Sequence, residues 1–120
     1  MTIEQTYKTI DVIIKTFKKA RRENDYLTLM TNGFALLEYI PELIIYSIEQ
    51  ESLYRKLEAK LSDEYQGDKR NSSAYCETQA KASEFYKEWM KTKMFMELIF
   101  EMVNMAKALG RCLNNEIKAS

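Results

Sequence analysis

Nucleophilic and metal chemistry each need particular side chains at particular spacings, and this chain of 120 residues supplies few of them. It contains no histidine. That removes Ser-His and Cys-His nucleophile pairs, histidine-bearing zinc sites and the Glu-x-x-His motif of di-iron bundles. Cys76 and Cys112 are the only cysteines and have 35 residues between them. They make neither a zinc pair nor a secreted disulfide framework, and they read as free thiols of a reducing, cytoplasmic compartment. No GxxxxGKS/T or GxGxxG loop offers a cradle for nucleotide phosphates. Glu49 and Glu58, or Glu97 and Glu101, are the carboxylates to consider for a hard metal, but such spacings are ordinary on a solvated helix surface. The residues argue against an enzyme, and with it against a cofactor, a metal or a small-molecule substrate.

What remains is binding. Lys plus Arg equals Asp plus Glu at 18 each, so net charge gives no global pull towards nucleic acid or membrane. Any attraction must be local. Lys56 and Lys60 precede the polar stretch "EYQGDKRNSSAYCET" from Glu64 to Thr78 and Lys69 and Arg70 lie within it, with Tyr54, Tyr65 and Tyr75 interleaved. Cations for phosphates beside aromatics for bases is how single strands are held without sequence preference. The expected contacts are Lys56, Lys60, Lys69 and Arg70 to phosphate, with Tyr65 as the stacking face. Glu58, Asp63, Glu64 and Asp68 dilute the patch, and the plainer reading is a polar hinge kept soluble by mixed charge.

The elements that must position these residues are helices. Three Gly and one Pro in the whole chain leave little punctuation for hairpins. Thr2 and Gln5 have capping-box spacing, and Ile3, Tyr7, Ile10, Ile14 and Phe17 then line one face. The run Lys18, Lys19, Arg21, Arg22 falls where cations suit the negative end of the helix dipole. A second helix, capped by Asn24 or Asp25, carries Tyr26, Met30, Phe34 and Leu37. Pro41 is suited to open a third, marked by Ile44, Ile45, Ile48, Leu57, Leu61 and Tyr65, with Glu51 and Arg55 four apart. From Thr78 to Ile117 apolar positions alternate steps of four and three, the 3.5-residue period of a coiled coil. The expectation is an all-α, four-helix chain, a single domain over residues 1–120. The long last helix forms an extended hairpin with the third, and the hinge lies at about 66–73. Roughly 40 helical positions span about 60 Å, more than a chain of this length covers when folded back on itself. The stripe through Phe85, Trp89, Met96, Ile99 and Val103 is therefore expected to meet other copies of the chain in a homo-oligomer.

No stretch approaches the roughly 20 apolar residues that span a bilayer, and "MTIEQTYKTIDV" lacks the apolar run of a signal peptide. The segment from Tyr54 to Leu113 resembles the UvsY-type recombination mediators of T-even and related phages. The likeness lies in "KLEAKLSDEYQG", a polar loop, then "SSAYCETQAKASEFYKEW" entering a long helix that closes on "AKALGRCLN". The resemblance implies a ring-forming helical protein of the host-cell cytoplasm. Such a protein binds single-stranded DNA and helps load a recombinase onto strands coated by a single-strand-binding protein. The family's paired basic residues before the turn correspond here to Glu58 and Lys60, of which only Lys60 is basic. The alternative class is a phage inhibitor of host defence, anti-CRISPR-like, that acts by occupying a CRISPR effector protein.

Overall fold

The computed structural model describes the backbone of residues 2–64 and 73–119, and the side chains of 2–64 and 74–115. Among them the chain is all-α: α1 (Ile3–Arg22), α2 (Tyr26–Ala35), a 3-10 turn (Leu36–Tyr39), α3 (Ile40–Glu64), α4 (Ser73–Lys81) and α5 (Glu84–Ala119). No described residue lies in a strand. The expected long C-terminal helix is present and packs on the third. Its start differs. The 3.5-residue repeat runs through Ala82 without a slip, yet the chain turns at Ala82 and Ser83, and the Ser83 hydroxyl accepts from Tyr86 N–H at 3.3 Å. A serine that can satisfy a free N–H at a helix start opens α5 there. At the other end, α5 continues through Gly110.

The chain, expected as one domain, groups into two compact units: Met1–Pro41 with Phe95–Ser120, and Glu42–Met94. In the first, Thr2 forms the expected capping box with Gln5 and starts α1. The end of α1 is a Schellman motif. Asp25 N–H bonds back to Ala20 C=O at 2.9 Å, Asn24 N–H to Arg21 C=O at 3.3 Å, and Asn24 takes a left-handed φ of 57°. Asp25 then caps α2, accepting from Thr28 N–H at 3.3 Å and from its hydroxyl at 2.7 Å. These bonds hold the Asp25 carboxyl below its ordinary pKa. Two helices thus meet at a corner whose every residue has an assigned bond.

The core of this unit is Ile10, Ile14 and Phe17 of α1, Leu29 of α2, Leu36, and Phe95, Ile99, Met102, Val103 and Ala106 of α5. Tyr7 stacks on Phe95, with ring centroids 4.6 Å apart. α2 presents Leu29 and Gly33 inward, whereas Tyr26, Phe34 and Leu37, expected on the buried face, stand about 40% exposed. Gly33 is the reason. A Cβ placed there would come 2.8 Å from Ala106 Cβ and 3.3 Å from Phe17. The two backbones approach through the smallest side chains, and the helix rotates to allow it.

Ile99 and Val103, expected to meet another copy, are instead fully buried within this core. Thr92 of the same stripe is buried in the chain as well, its hydroxyl donating to Glu88 C=O at 2.8 Å. Of the stripe, Thr92, Ile99, Val103 and Ala106 are covered within the chain. On α3 the expected buried positions Ile44, Ile45 and Ile48 are likewise corrected: they are 43%, 60% and 62% exposed, because the buried line of that helix runs through Leu43, Ser47 and Tyr54.

Two glycines of the first unit should respond oppositely to alanine. Gly33→Ala forces Ala106 or Phe17 to move, and overpacking of that kind costs about 1–3 kcal/mol, against about 1 kcal/mol of helix propensity gained. At Gly110 the new methyl meets the flexible end of Met30 at 3.2 Å. Denaturant midpoints should therefore fall for Gly33→Ala and rise for Gly110→Ala.

Candidate nucleic-acid interface

Of the expected phosphate contacts, Lys56 and Lys60 are described, and both are exposed on α3. They lie one turn apart on one face, and neither forms an ion pair among the described residues. Lys69, Arg70 and Tyr65, with positions 66–72 of the expected hinge, lie outside the described residues, and Ser73, its last position, starts α4.

The second unit builds the surroundings of these lysines from α3, α4 and the first turns of α5. Tyr54, which the sequence offered as an interleaved aromatic, is 3% exposed. Its ring packs on Tyr86 at 5.2 Å and on Trp89 at 5.6 Å, and its hydroxyl donates to Glu58 Oε2 at 3.0 Å. Burial, reinforced by the Glu58 carboxylate, pushes its phenol above the ordinary value of 10.0. Tyr54 is therefore a packing residue with one polar tether, closed to a base. Tyr75 is 40% exposed.

Around this cluster cations gather on the aromatic faces. The Arg55 guanidinium sits 5.2 Å from the Tyr54 ring centre and 5.5 Å from that of Trp89, and Lys93 Nζ lies 4.8 Å from Trp89. Each such contact contributes roughly 0.5–1 kcal/mol at an exposed site. Arg55 pairs with Glu58 at 3.6 Å rather than with Glu51, its expected partner four residues back. The i,i+3 step suits a carboxylate that the Tyr54 hydroxyl already holds. Phe85, Trp89 and Met96, the rest of the expected oligomer stripe, are half-buried. Sequence reading missed Trp89 as an aromatic flanked by cations, although Trp89 and Lys93 at i,i+4 carry a visible signal.

Two hollows flank the α3 surface. One, of about 540 Å³, is lined by Ile48, Glu51, Ser52, Arg55, Lys56 and Ala59. The other, of about 500 Å³, is lined by Arg55, Glu58, Ala59, Ser62, Cys76 and Glu77. Both mix charge signs, so the surface can offer single phosphate contacts but not a continuous cationic groove. Cys76 is buried, its thiol 3.6 Å from Leu61 C=O. Among the described residues no three His, Cys, Asp or Glu side chains gather where they could hold a metal ion. No described helix is long and apolar enough to cross a membrane.

No protein-family model, no curated protein and no solved structure matches this chain.

The raised Tyr54 phenol has a measurable consequence. As pH rises past about 10 the unfolded tyrosine loses its proton first while the folded one keeps it, so stability declines through that window. Denaturant unfolding at a series of alkaline pH values should give a shallower decline for Tyr54→Phe than for the native chain. Loss of the hydrogen bond lowers the neutral-pH stability of that variant by about 1 kcal/mol.

Proposed function

We propose that this chain is a non-catalytic helical accessory protein of phage or mobile-element type, working in the cytoplasm of the bacterial host. It binds single-stranded DNA and recombination proteins as an oligomeric mediator. The observation that carries the reading is the pair of exposed cations, Lys56 and Lys60, set one turn apart on α3. Free cations on a rigid helix meet successive phosphates without reading bases. The resemblance over Tyr54 to Leu113 points to the same class, with Lys69, Arg70 and Tyr65 continuing the contact beyond α3.

Self-association belongs to this reading, and Ile99 and Val103 cannot serve it from inside the chain's own core. The densest run of exposed apolar residues on α3 is Ile44, Ile45 and Ile48, within little more than one turn. The same run favours a second reading, in which the chain covers a functional surface of a host defence protein such as a CRISPR effector. Exposed apolar residues set close together are the mark of a protein contact.

Fluorescence anisotropy with a labelled single-stranded oligonucleotide tests the first reading. The native chain should bind at low salt and release as salt rises. Lys56→Gln with Lys60→Gln should make the log–log salt slope shallower by about 1.4, at roughly 0.7 per lost phosphate contact. Absence of binding at low salt, or binding indifferent to salt, would overturn it. Nuclease-resistant recovery of one host defence protein in equal amount would then establish the second.

A further inference from the structure

The densest positive charge among the described residues lies on α1, not α3. Between Asp11 and Glu23 the helix carries Lys15, Lys18, Lys19, Arg21 and Arg22 and no acidic residue. All five are exposed, and none forms an ion pair among the described residues. A favourable helix dipole accounts for Lys19, Arg21 and Arg22, which sit in the last turn. It does not account for Lys15 and Lys18, since the effect fades beyond that turn. Nor is this an ordinary solvated face, which would mix signs as the α3 surface does.

Four of the five cations converge on a shallow hollow. Lys15, Lys18, Arg21 and Arg22 line a cavity of about 610 Å³. Arg21 also lines a neighbouring one of about 310 Å³ with Asn24, Tyr26, Leu29, Met105 and Leu109. The Tyr26 ring is 42% exposed. The Schellman motif and the Asp25 cap fix the corner between α1 and α2, so Tyr26 is held in a set position relative to Arg21. The neighbouring carboxylate of Asp25 is engaged with Thr28, and Glu23 is exposed.

We infer that the C-terminal half of α1, with Tyr26, is a binding surface for single-stranded nucleic acid: Lys15, Lys18, Arg21 and Arg22 meet phosphates and Tyr26 offers a face to a base. Cations spaced at i, i+3 and i+7 along about 10 Å of helix follow a backbone, and an exposed aromatic beside them supplies sequence-tolerant stacking. An anionic membrane fits less well. A surface helix that enters lipid needs its apolar face free, and Ile10, Ile14 and Phe17 of α1 are buried in the core. This inference rests on the single-strand-binding reading above but places a separate contact on other residues.

The test is anisotropy with labelled oligodeoxythymidylate across a salt series, using four variants of the full chain whose helicity is first matched to the native by circular dichroism. Lys15→Gln/Lys18→Gln/Arg22→Gln should weaken binding by at least about ten-fold and flatten the salt slope by about 2, at roughly 0.7 per contact. Tyr26→Ala should weaken it roughly five-fold or more with no change in slope, while Tyr26→Phe should bind as the native does. If the α1 variant keeps native affinity and slope while Lys56→Gln/Lys60→Gln loses both, the α1 surface is overturned and the α3 reading stands. If the α1 variant loses binding and the α3 variant does not, the α1 surface holds and the α3 site is displaced. A native chain that ignores the oligonucleotide but binds vesicles of anionic phospholipid overturns both.

Discussion

Everything in the first unit follows from how closely α2 and α5 approach at Gly33. The missing side chain lets the backbone of α2 come so near α5 that even a methyl would sit 2.8 Å from Ala106 Cβ and 3.5 Å from the Met102 carbonyl. Phe17 of α1 closes the third side at 3.3 Å. Three helices are thus pinned at one point by a hydrogen atom, a methyl and a ring. The contact sets the rotation of α2, and with it which residues that helix hides. Leu29 and Leu36 go inward, and Phe34 and Leu37 are left at the surface. It also commits the α5 stripe of Ile99, Val103 and Ala106 to the chain's own core.

That contact explains where sequence reading succeeded and where it failed. α1 was legible because its caps and its apolar face agree: Tyr7, Ile10, Ile14 and Phe17 are all buried, and the Thr2 capping box forms as its spacing requires. Local bonds and local periodicity decide that helix. The rotation of α2 was not legible, because bulk favoured Tyr26, Met30, Phe34 and Leu37 as the inward line. Only the partner helix reveals that a glycine is the residue to bury. The same blindness affected α5. A 3.5-residue period states that a stripe is covered, and it says nothing about whether the cover comes from this chain or another. The turn at Ala82 and Ser83 escaped notice because the apolar rhythm continues across it, while a serine cap interrupts only the hydrogen bonds.

Around Tyr54 the second unit shows how a residue suited to one role takes another. A tyrosine between lysines reads as a stacking face, and its position on the same side of α3 as Leu43 and Ser47 turns it inward instead. The phenol hydroxyl remains the one group that must be satisfied, and it reaches Glu58. That bond draws Glu58 towards Arg55, and Arg55 in turn lies over the Tyr54 and Trp89 rings. Glu58 is thereby committed to tethering Tyr54 and Arg55. The exposed cations beside it, Lys56 and Lys60, are left without such duties.

Net charge conceals this arrangement. Equal numbers of acids and bases are compatible with an even mixture or with segregation, and the field at a binding surface depends on which. On α3, Glu51 and Glu58 share the hollows with Arg55 and Lys56, so the two signs largely cancel within a Debye length. On α1, eleven consecutive residues from Val12 to Arg22 contain five cations and no acid, and acids stand only at the two ends of the run, Asp11 and Glu23. Such a run has an electrostatic cost in self-repulsion, which the buried face of α1 offsets by holding the helix to the core through Ile10, Ile14 and Phe17. The stiffness that packing supplies also keeps the cations at fixed spacing. An anionic strand meeting that face therefore finds charges already in place and relieves their mutual repulsion as it binds.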